Sequence, residues 1–306
     1  MNIHDVDINW EDVQSHIVGA GVLPIHIDAH NNITMLLGKE RYILNWRSSL
    51  KWSGFEGGRK PNETVENAAA REFFEESLGV IRIVPDEDPT VESIRKFLYD
   101  GHYFARILLC IVHNEILSEC RYHVTYVIQI PTQRDDIIET FTQKRHDALV
   151  LQQQIQTLNS IQRCVMSNVH LPIEGCIYKG HRVEHIQSVD YDSTGTHVQY
   201  KDSVGEHTVT LNDSMVHVSQ YREWFQLRSH IIHNPSFLYT QSIDELGSMN
   251  ITFNDEYTEK SAIKYWDLDV LSRVLGNRGH VDTHSFRAYF LPTLQRALLE
   301  LKKYSS

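Results

Sequence analysis

Apolar and polar residues near the N-terminus follow the pattern of half-buried β-strands. Residues 18–28 (VGAGVLPIHID) and 33–41 (ITMLLGKER) are rich in aliphatic side chains, and the turn-forming residues HNN at 30–32 separate them. These runs predict a β-hairpin. Two later runs of the same kind, at 103–113 and 122–130, predict two more strands.

Two segments have the residue pattern of helices. Residues 64–79 (TVENAAAREFFEESLG) combine strong helix formers with no internal proline, and Gly79 stands where a helix would end. Residues 284–304 carry apolar side chains at helical spacing. They predict a C-terminal helix that bends or begins at Pro292.

The middle of the chain has a different character. Residues 134–166 are rich in Gln and charged side chains, with apolar positions at helical spacing, which predicts one or two helices. Residues 175–218 contain short alternating runs between turn sequences, which predicts a small antiparallel β unit. Beyond it, residues 219–234 predict a helix and residues 261–268 predict a strand.

Composition is that of an ordinary globular protein. The 306 residues allow one large domain or two smaller ones, and 29 basic against 40 acidic residues give a net charge of −11. Since phosphate contacts need clustered Lys and Arg, this balance argues against non-specific nucleic-acid binding. The four Cys form no close pair, and neither a signal peptide nor a membrane-spanning run is found. We therefore expect a cytoplasmic protein with no membrane partner.

A cluster of carboxylates in the helix predicted at 64–79 points to metal chemistry. Glu72, Glu75 and Glu76 are spaced i, i+3 and i+4, so they share one helix face within a turn of one another. Carboxylates at this spacing repel each other, so helix stability does not explain them. A divalent cation over that face would explain the cluster, because carboxylate oxygens suit Mg²⁺ or Mn²⁺.

The segment from Gly57 to Val80 (GGRKPNETVENAAAREFFEESLGV) resembles the signature of the Nudix hydrolases, the Nudix box. That signature is Gly, five residues, Glu, seven residues, Arg-Glu-apolar-x-Glu-Glu, and then a Gly-apolar pair. The matching positions here are Gly57, Glu63, Arg71, Glu72, Phe73, Glu75, Glu76, Gly79 and Val80.

The match departs from the family at one place. Two residues, Ser77 and Leu78, precede Gly79 where the family has one. Because this one-residue insertion follows the last Glu, we expect it to alter the exit of the helix. The mutual geometry of the three helical carboxylates should be unchanged.

The resemblance implies a fold and a domain organisation. The expected class is α/β, an α/β/α sandwich with a mixed sheet, interrupted by a large insertion of helices and a small antiparallel β unit. The expected parts are an N-terminal extension at 1–16, the Nudix domain at 17–130 and 250–306, and the insertion at 131–249. A long insertion is expected to reshape a substrate site or to bind a partner.

The resemblance also implies a reaction, the Mg²⁺- or Mn²⁺-dependent hydrolysis of a pyrophosphate bond in a nucleoside diphosphate linked to another group. A later segment, EKSAIKYWDL from Glu259, looks similar to a family strand preceded by an acidic ligand or base. The expected metal ligands are Gly57, Glu72, Glu75 and Glu76. The expected catalytic residues are Glu72, Glu76 and Glu259, with Glu72 or Glu259 as the general base. Arg71 and Glu63 should orient the loop, and Arg59, Lys60 and Trp52 are candidates for substrate contact.

Two other functions stay open. Large insertions and unusual box endings occur in Nudix enzymes that remove mRNA caps, and a nucleic-acid partner is expected only in that case. A non-catalytic Nudix protein that senses a nucleotide is the second alternative, although such proteins usually lose box carboxylates and all four Glu remain here. The acidic charge favours a small-molecule nucleotide as the substrate.

Overall fold

The structure is a computed structural model that describes residues 2–4, 10–112, 120–131, 135–166, 171–174, 176–212, 217–243, 249–276 and 285–305. The chain divides into two compact units. The first comprises Met1–Arg145 and Glu256–Ser306, and the second comprises His146–Asp255. The insertion predicted at 131–249 overlaps the second unit, whose limits lie later in the chain at both ends.

The secondary structure follows in chain order. The strands are β1 (Asn2–His4), β2 (Ile17–Ile27), β3 (Ile33–Glu40), β4 (Trp52–Ser53), β5 (Phe55–Gly58), β6 (Ala105–Val112), β7 (Arg121–Gln129), β8 (Ile177–Tyr178), β9 (His181–Asp192), β10 (Gly195–Asp202), β11 (Glu206–Leu211), β12 (Tyr239–Ile243), β13 (Met249–Phe253) and β14 (Lys260–Asp267). The helices are α1 (Trp10–Val13), α2 (Val65–Ser77), α3 (Val91–Tyr99), α4 (Asp135–Met166), α5 (Val218–Ile232), α6 (Leu268–Gly276) and α7 (Phe290–Ser305).

A mixed sheet forms the centre of the first unit. Within the described residues it has eight strands in the order β1-β6-β7-β2-β3-β14, with β4 paired to β3 and β5 paired to β2. β2 is parallel to β7 and antiparallel to β3 and β5. The predicted hairpin is confirmed, with Ile25 of β2 opposite Met35 of β3. The segment predicted as an N-terminal extension contributes β1, which pairs with β6 at the edge of the sheet.

Helices cover both faces of this sheet. On one face, α2 packs against β2 and β5, and α3 packs against α2. Elsewhere Leu23 and Ile25 of β2 join Leu294 and Leu298 of α7 in an apolar core. Because alternate residues of a strand point to the same face, Leu23 and Ile25 share the face of β2 that α7 covers. The expected α/β class with a mixed sheet is confirmed.

The C-terminal helix begins at Phe290, close to the start at Pro292 that the sequence pattern allowed. Residues 277–284 lie outside the described part of the chain, and residues 285–289 form turns and a bridge to Trp52 instead of helix. The alternative of a helix from 284 that bends at Pro292 is therefore wrong for 285–289. Pro292 lies in the first turn of α7, where a backbone N–H has no helical acceptor and proline is tolerated.

The second unit is built around an antiparallel sheet. Its strand order is β11-β10-β9-β8, which confirms the β unit predicted at 175–218. Leu151 and Ile155 of α4 and Trp224 of α5 are buried in one core with Val198 of β10. α4 is a single helix where the pattern allowed one or two. In the part of the chain that is described, no helix has the length and apolar composition needed to cross a bilayer.

Candidate active site

Local interactions hold the start of α2 over the strand that precedes it. Thr64 is the N-cap of α2, and its side chain accepts a hydrogen bond from the backbone N–H of Asn67 at 3.1 Å. On the buried face of the helix, the ring of Phe73 meets the ring of Phe55 edge-on, with centroids 5.5 Å apart. This packing fixes α2 over β5, the strand that carries Gly57.

Arg71 ties the loop between β5 and α2 to the helix. Its Nε donates to Glu63 at 2.8 Å, so the predicted pair is present, and its Nη2 donates to the Gly58 carbonyl at 2.8 Å. Its Nη1 donates to Glu72 at 2.7 Å and to Glu75 at 3.0 Å. Burial would raise the pKa of Glu63, but the hydrogen bonds from Arg71 and the Lys60 backbone N–H, with the charges of both residues, together outweigh burial and hold that pKa below its ordinary value.

The carboxylates of α2 that lie beside the loop repel one another and are poorly solvated. Burial raises the pKa of Glu72, Arg71 opposes the rise, and the charges of Glu259 and Glu256 add to it. Burial and the charge of Glu256 raise the pKa of Glu75 to about 7. The pKa of Glu259 is raised by burial as well. These four acidic side chains therefore form one electrostatic cluster, in which added positive charge would stabilise the ionised forms.

Glu76 belongs to a buried ion cluster that the sequence did not predict. The Lys260 ammonium is fully buried and lies 2.6 Å from the Glu40 carboxylate, 3.0 Å from the Glu76 carboxylate and 2.8 Å from the Ser53 hydroxyl. The other Glu76 oxygen accepts a hydrogen bond from the backbone N–H of Glu56 at 2.8 Å. Burial raises the pKa of Glu76 well above its ordinary value, although Lys260 opposes this shift.

The extra residue of the box is absorbed at the exit of α2. The helix ends at Ser77, and both Leu78 and Gly79 adopt left-handed backbone conformations with φ of 57°. The Gly79 N–H donates to the Phe74 carbonyl at 2.9 Å, which closes the end of the helix. The last box carboxylate lies before this turn, so all three share one regular helix.

The donor set fits a hard divalent cation. A side chain at Gly57 would overlap the Glu72 carboxylate, so the absence of a Cβ there is what lets that carboxylate lie against the loop backbone. As the side chains stand, no three His, Cys, Asp or Glu residues of the described chain converge on a single metal position. Arg71 and Lys260 bind the box carboxylates instead, so a cation would have to compete with them.

The three residues predicted to contact substrate have different surroundings. The Arg59 guanidinium donates to the backbone carbonyls of Glu63, Gln14 and Ile17, which is a structural arrangement. The exposed Lys60 ammonium lies 3.4 Å from the Glu256 carboxylate, at the edge of the acidic cluster. Trp52 packs edge-on against Trp266, with ring centroids 5.5 Å apart.

A cavity of about 250 Å³ lies beside Gly57 and Gly58. Glu56, His123 and Arg287 line it. The sequence offered Glu56 only as an alternative to Gly57 for a backbone carbonyl to the metal, and it predicted no role for the three side chains. Burial lowers the pKa of His123 below its ordinary value, with its Nε2 4.0 Å from the Glu56 carboxylate. No local pattern identifies these residues, because β5, β7 and the segment before α7 bring them together from distant parts of the chain.

The comparisons with known proteins give similarities of fold. No family model matches the sequence, and no curated protein matches it. One similar solved structure is the Nudix hydrolase RenU from M. smegmatis, at 17% identity over 39% of this chain and 63% of that chain, with a TM-score of 0.26. This chain therefore spans less than two thirds of RenU.

Two further solved structures are similar. One is an Ap4A hydrolase from C. elegans, at 15% identity over 38% of this chain and 70% of that chain, with a TM-score of 0.23. The other is a MutT/nudix family protein from Enterococcus faecalis, at 8% identity over 77% of this chain and 85% of that chain, with a TM-score of 0.23.

Proposed function

We propose that the chain is a hydrolase that uses Mg²⁺ or Mn²⁺ to cleave a pyrophosphate bond in a nucleoside diphosphate linked to another group. The observation that supports this most directly is the carboxylate face of α2 beside Gly57. Glu72 and Glu75 are crowded there with raised pKa values, and the missing Cβ of Gly57 leaves room for the Glu72 carboxylate. Such crowding is costly without a cation and is the arrangement that a cation would stabilise.

The residues of the Nudix-like segment have two separate roles, cation binding and orientation of the loop. Glu72, Glu75 and Glu76, with the Gly57 carbonyl, would hold the cation, which supplies charge neutralisation at the phosphate oxygens and activation of water. Arg71 holds the loop and the helix in register through Glu63 and the Gly58 carbonyl.

The proton of the attacking water needs an acceptor close to the cation. Glu72 and Glu259 are the candidates for this general base, because both carboxylates belong to the acidic cluster beside Gly57, where the cation would lie. The Glu72→Gln and Glu259→Gln variants separate them. The variant without the base should lose the rise of kcat with pH.

The test is phosphate release from nucleoside diphosphate sugars, dinucleoside polyphosphates and capped RNA, with Mg²⁺ and with EDTA. Glu72→Gln is the test variant, and Glu87→Gln, an exposed carboxylate outside the site, is the matched control. We expect metal-dependent turnover that Glu72→Gln loses and Glu87→Gln keeps. Turnover that survives EDTA, or that survives in Glu72→Gln, would contradict the proposal.

The same panel distinguishes the two alternatives. Turnover confined to capped RNA would replace the small-molecule substrate by an mRNA cap. A nucleotide that raises the melting temperature without being hydrolysed would identify a sensor and refute the hydrolase. A partner bound through the second unit stays a prediction, which a comparison of the full chain with a variant carrying substitutions on α5 would test.

A further inference from the structure

Two arginine side chains from distant parts of the first unit come together beside Glu259. Arg41 follows β3, and its Nη1 donates to the Thr258 hydroxyl at 3.0 Å while its backbone N–H donates to the Glu259 carbonyl at 2.7 Å. Arg145 lies on α4, and its Nε donates to the Lys260 carbonyl at 2.7 Å. Three consecutive residues, at the start of β14 and just before it, therefore hold both side chains in one place.

The two guanidinium groups repel each other. Burial lowers the pKa of Arg145, and the charge of Arg41 lowers it further. Neither group forms an ion pair with a carboxylate of the described residues. Two like charges without a counterion are unfavourable in partly buried surroundings, and an anion bound by both groups would remove this cost.

Most hydrogen-bond donors of both side chains remain available to a ligand. A guanidinium has five N–H donors, and each of these two groups uses one of them in a hydrogen bond to the protein. Arg41 and Arg145 are only partly buried, and no nitrogen of either side chain is both enclosed and without a partner. The unused donors therefore face solvent, in the planar fork that suits the oxygens of a phosphate group.

The chain that follows Arg41 is positively charged, unlike the protein as a whole. Residues 41–55 contain the basic side chains of Arg41, Arg47 and Lys51 and no acidic one, although the net charge of the protein is −11. The charge of Arg41 also acts on the Glu259 carboxyl group, with which it forms no ion pair. Positive charge therefore borders the acidic cluster on this side, where it would attract the phosphates that the carboxylates repel.

We propose that Arg41 and Arg145 together bind a phosphate group of the substrate at the border of the acidic cluster. The inference rests on the proposed function for its ligand class, a phosphate ester of a nucleoside, and adds two residues that hold the phosphate chain. Neither residue belongs to the Nudix-like segment. Arg145 lies within the insertion predicted at 131–249, so this role would give the insertion a part in substrate binding.

The experiment measures the binding of inorganic pyrophosphate by titration calorimetry with EDTA present, so that neither a cation nor turnover contributes. Arg145→Gln and Arg41→Gln are the test variants. Lys144→Gln is the matched control, because it removes the same charge from an exposed neighbouring position of α4. We expect each test variant to bind pyrophosphate at least about tenfold more weakly, the scale of one lost charge-assisted hydrogen bond. Lys144→Gln should bind it as tightly as the parent protein does.

A conservative variant separates the planar fork from the charge. Arg145→Lys keeps the positive charge and loses the paired donors of the guanidinium. Its affinity for pyrophosphate should therefore lie between that of the parent protein and that of Arg145→Gln.

Undiminished pyrophosphate binding in both Gln variants would overturn the proposal, as would equal losses in Arg145→Gln and Lys144→Gln or an absence of binding by the parent protein. If Arg145→Gln does not fold without its bond to the Lys260 carbonyl, Arg41→Gln provides the second variant. The outcome is separate from that of the proposed function. Pyrophosphate can bind in EDTA without hydrolysis, and hydrolysis can occur on a substrate whose phosphates these arginines do not touch.

Discussion

Two adjacent glycines of the loop before α2 give a matched test of the proposed site. An alanine Cβ at Gly57 would overlap the Glu72 carboxylate, far inside the ordinary contact distance of about 3.5–4.0 Å. An alanine Cβ at Gly58 would meet no atom within 4 Å. The same substitution at neighbouring positions therefore has opposite structural consequences.

The size of the expected effect follows from the displacement of the Glu72 carboxylate. In Gly57→Ala the Glu72 carboxylate has to leave the loop, which breaks its 2.7 Å contact with Arg71. Because the atoms that must move are the end of a flexible side chain, we expect a loss of stability of about 1 kcal/mol, at the low end of the cost of overpacking. A displacement of about 1 Å in a catalytic group lowers activity about 10²-fold. For Gly58→Ala we expect stability to be unchanged or raised by about 0.4–1 kcal/mol, because alanine reduces the conformational freedom of the unfolded chain.

The assay combines urea unfolding with metal-dependent turnover of whichever substrate the panel identifies. Gly57→Ala should lose about a hundredfold in kcat/KM while it remains folded, and Gly58→Ala should stay within a few-fold of the parent protein. A Mn²⁺ titration followed by electron paramagnetic resonance should show weaker binding in Gly57→Ala alone. Equal effects of the two substitutions would refute the reasoning, as would a fully active Gly57→Ala variant.

Three further predictions concern stability. Lys260→Met should lower the free energy of unfolding by about 3–5 kcal/mol, because it leaves the buried Glu76 carboxylate without a counterion and leaves Glu40 with Arg287 alone. Lys264→Met at an exposed position of β14 should change it by less than about 0.5 kcal/mol in the same urea titration. Burial would raise the pKa of Asp202, but hydrogen bonds from the turn after β10 outweigh it and hold that pKa below its ordinary value. The second unit should therefore lose stability as the pH falls below about 4, and Asp202→Asn should reduce that loss in melting curves recorded against pH. Gly79→Ala should lower the melting temperature, because its φ of 57° is unfavourable for alanine and the added Cβ would overlap the Phe74 ring; an unchanged melting temperature would argue against this account.

The elements that the sequence predicted are those with a local pattern. The strands at 18–28 and 33–41 are aliphatic runs separated by turn residues, and the helix at 64–79 has strong helix formers and a terminal glycine. Each is therefore specified by neighbours along the chain. β5 was not predicted, because its sequence FEGG contains two glycines and has no alternation of apolar and polar residues. It forms because β2 offers it an antiparallel edge, with Gly19 opposite Gly58.

The candidate site likewise contains contacts that the sequence predicts and contacts that it does not. The pairing of Arg71 with Glu63 was predictable because both residues belong to one contiguous motif. The Lys260–Glu40 ion pair was not, because its partners are 220 residues apart and the whole second unit lies between them in the chain. A single Lys in a predicted strand gives no sign of complete burial, since an isolated Lys is most often exposed. Contacts of this range are specified by the sheet order, which places β14 beside β3.

The charge balance at α2 indicates which carboxylates would move when a cation binds. Lys260 is fully buried and is shared by Glu40 and Glu76, so withdrawing it would leave the buried Glu76 without a cationic partner and Glu40 with Arg287 alone. Arg71, by contrast, keeps its bonds to Glu63 and the Gly58 carbonyl even when Glu72 turns away from it. Under the proposed function, the cation therefore competes with Arg71 for Glu72 and Glu75. Glu76, anchored by Lys260 and by the backbone N–H of Glu56, would bind the cation without moving. The buried lysine then holds Glu76 in place, so that cation binding rearranges only Glu72 and Glu75.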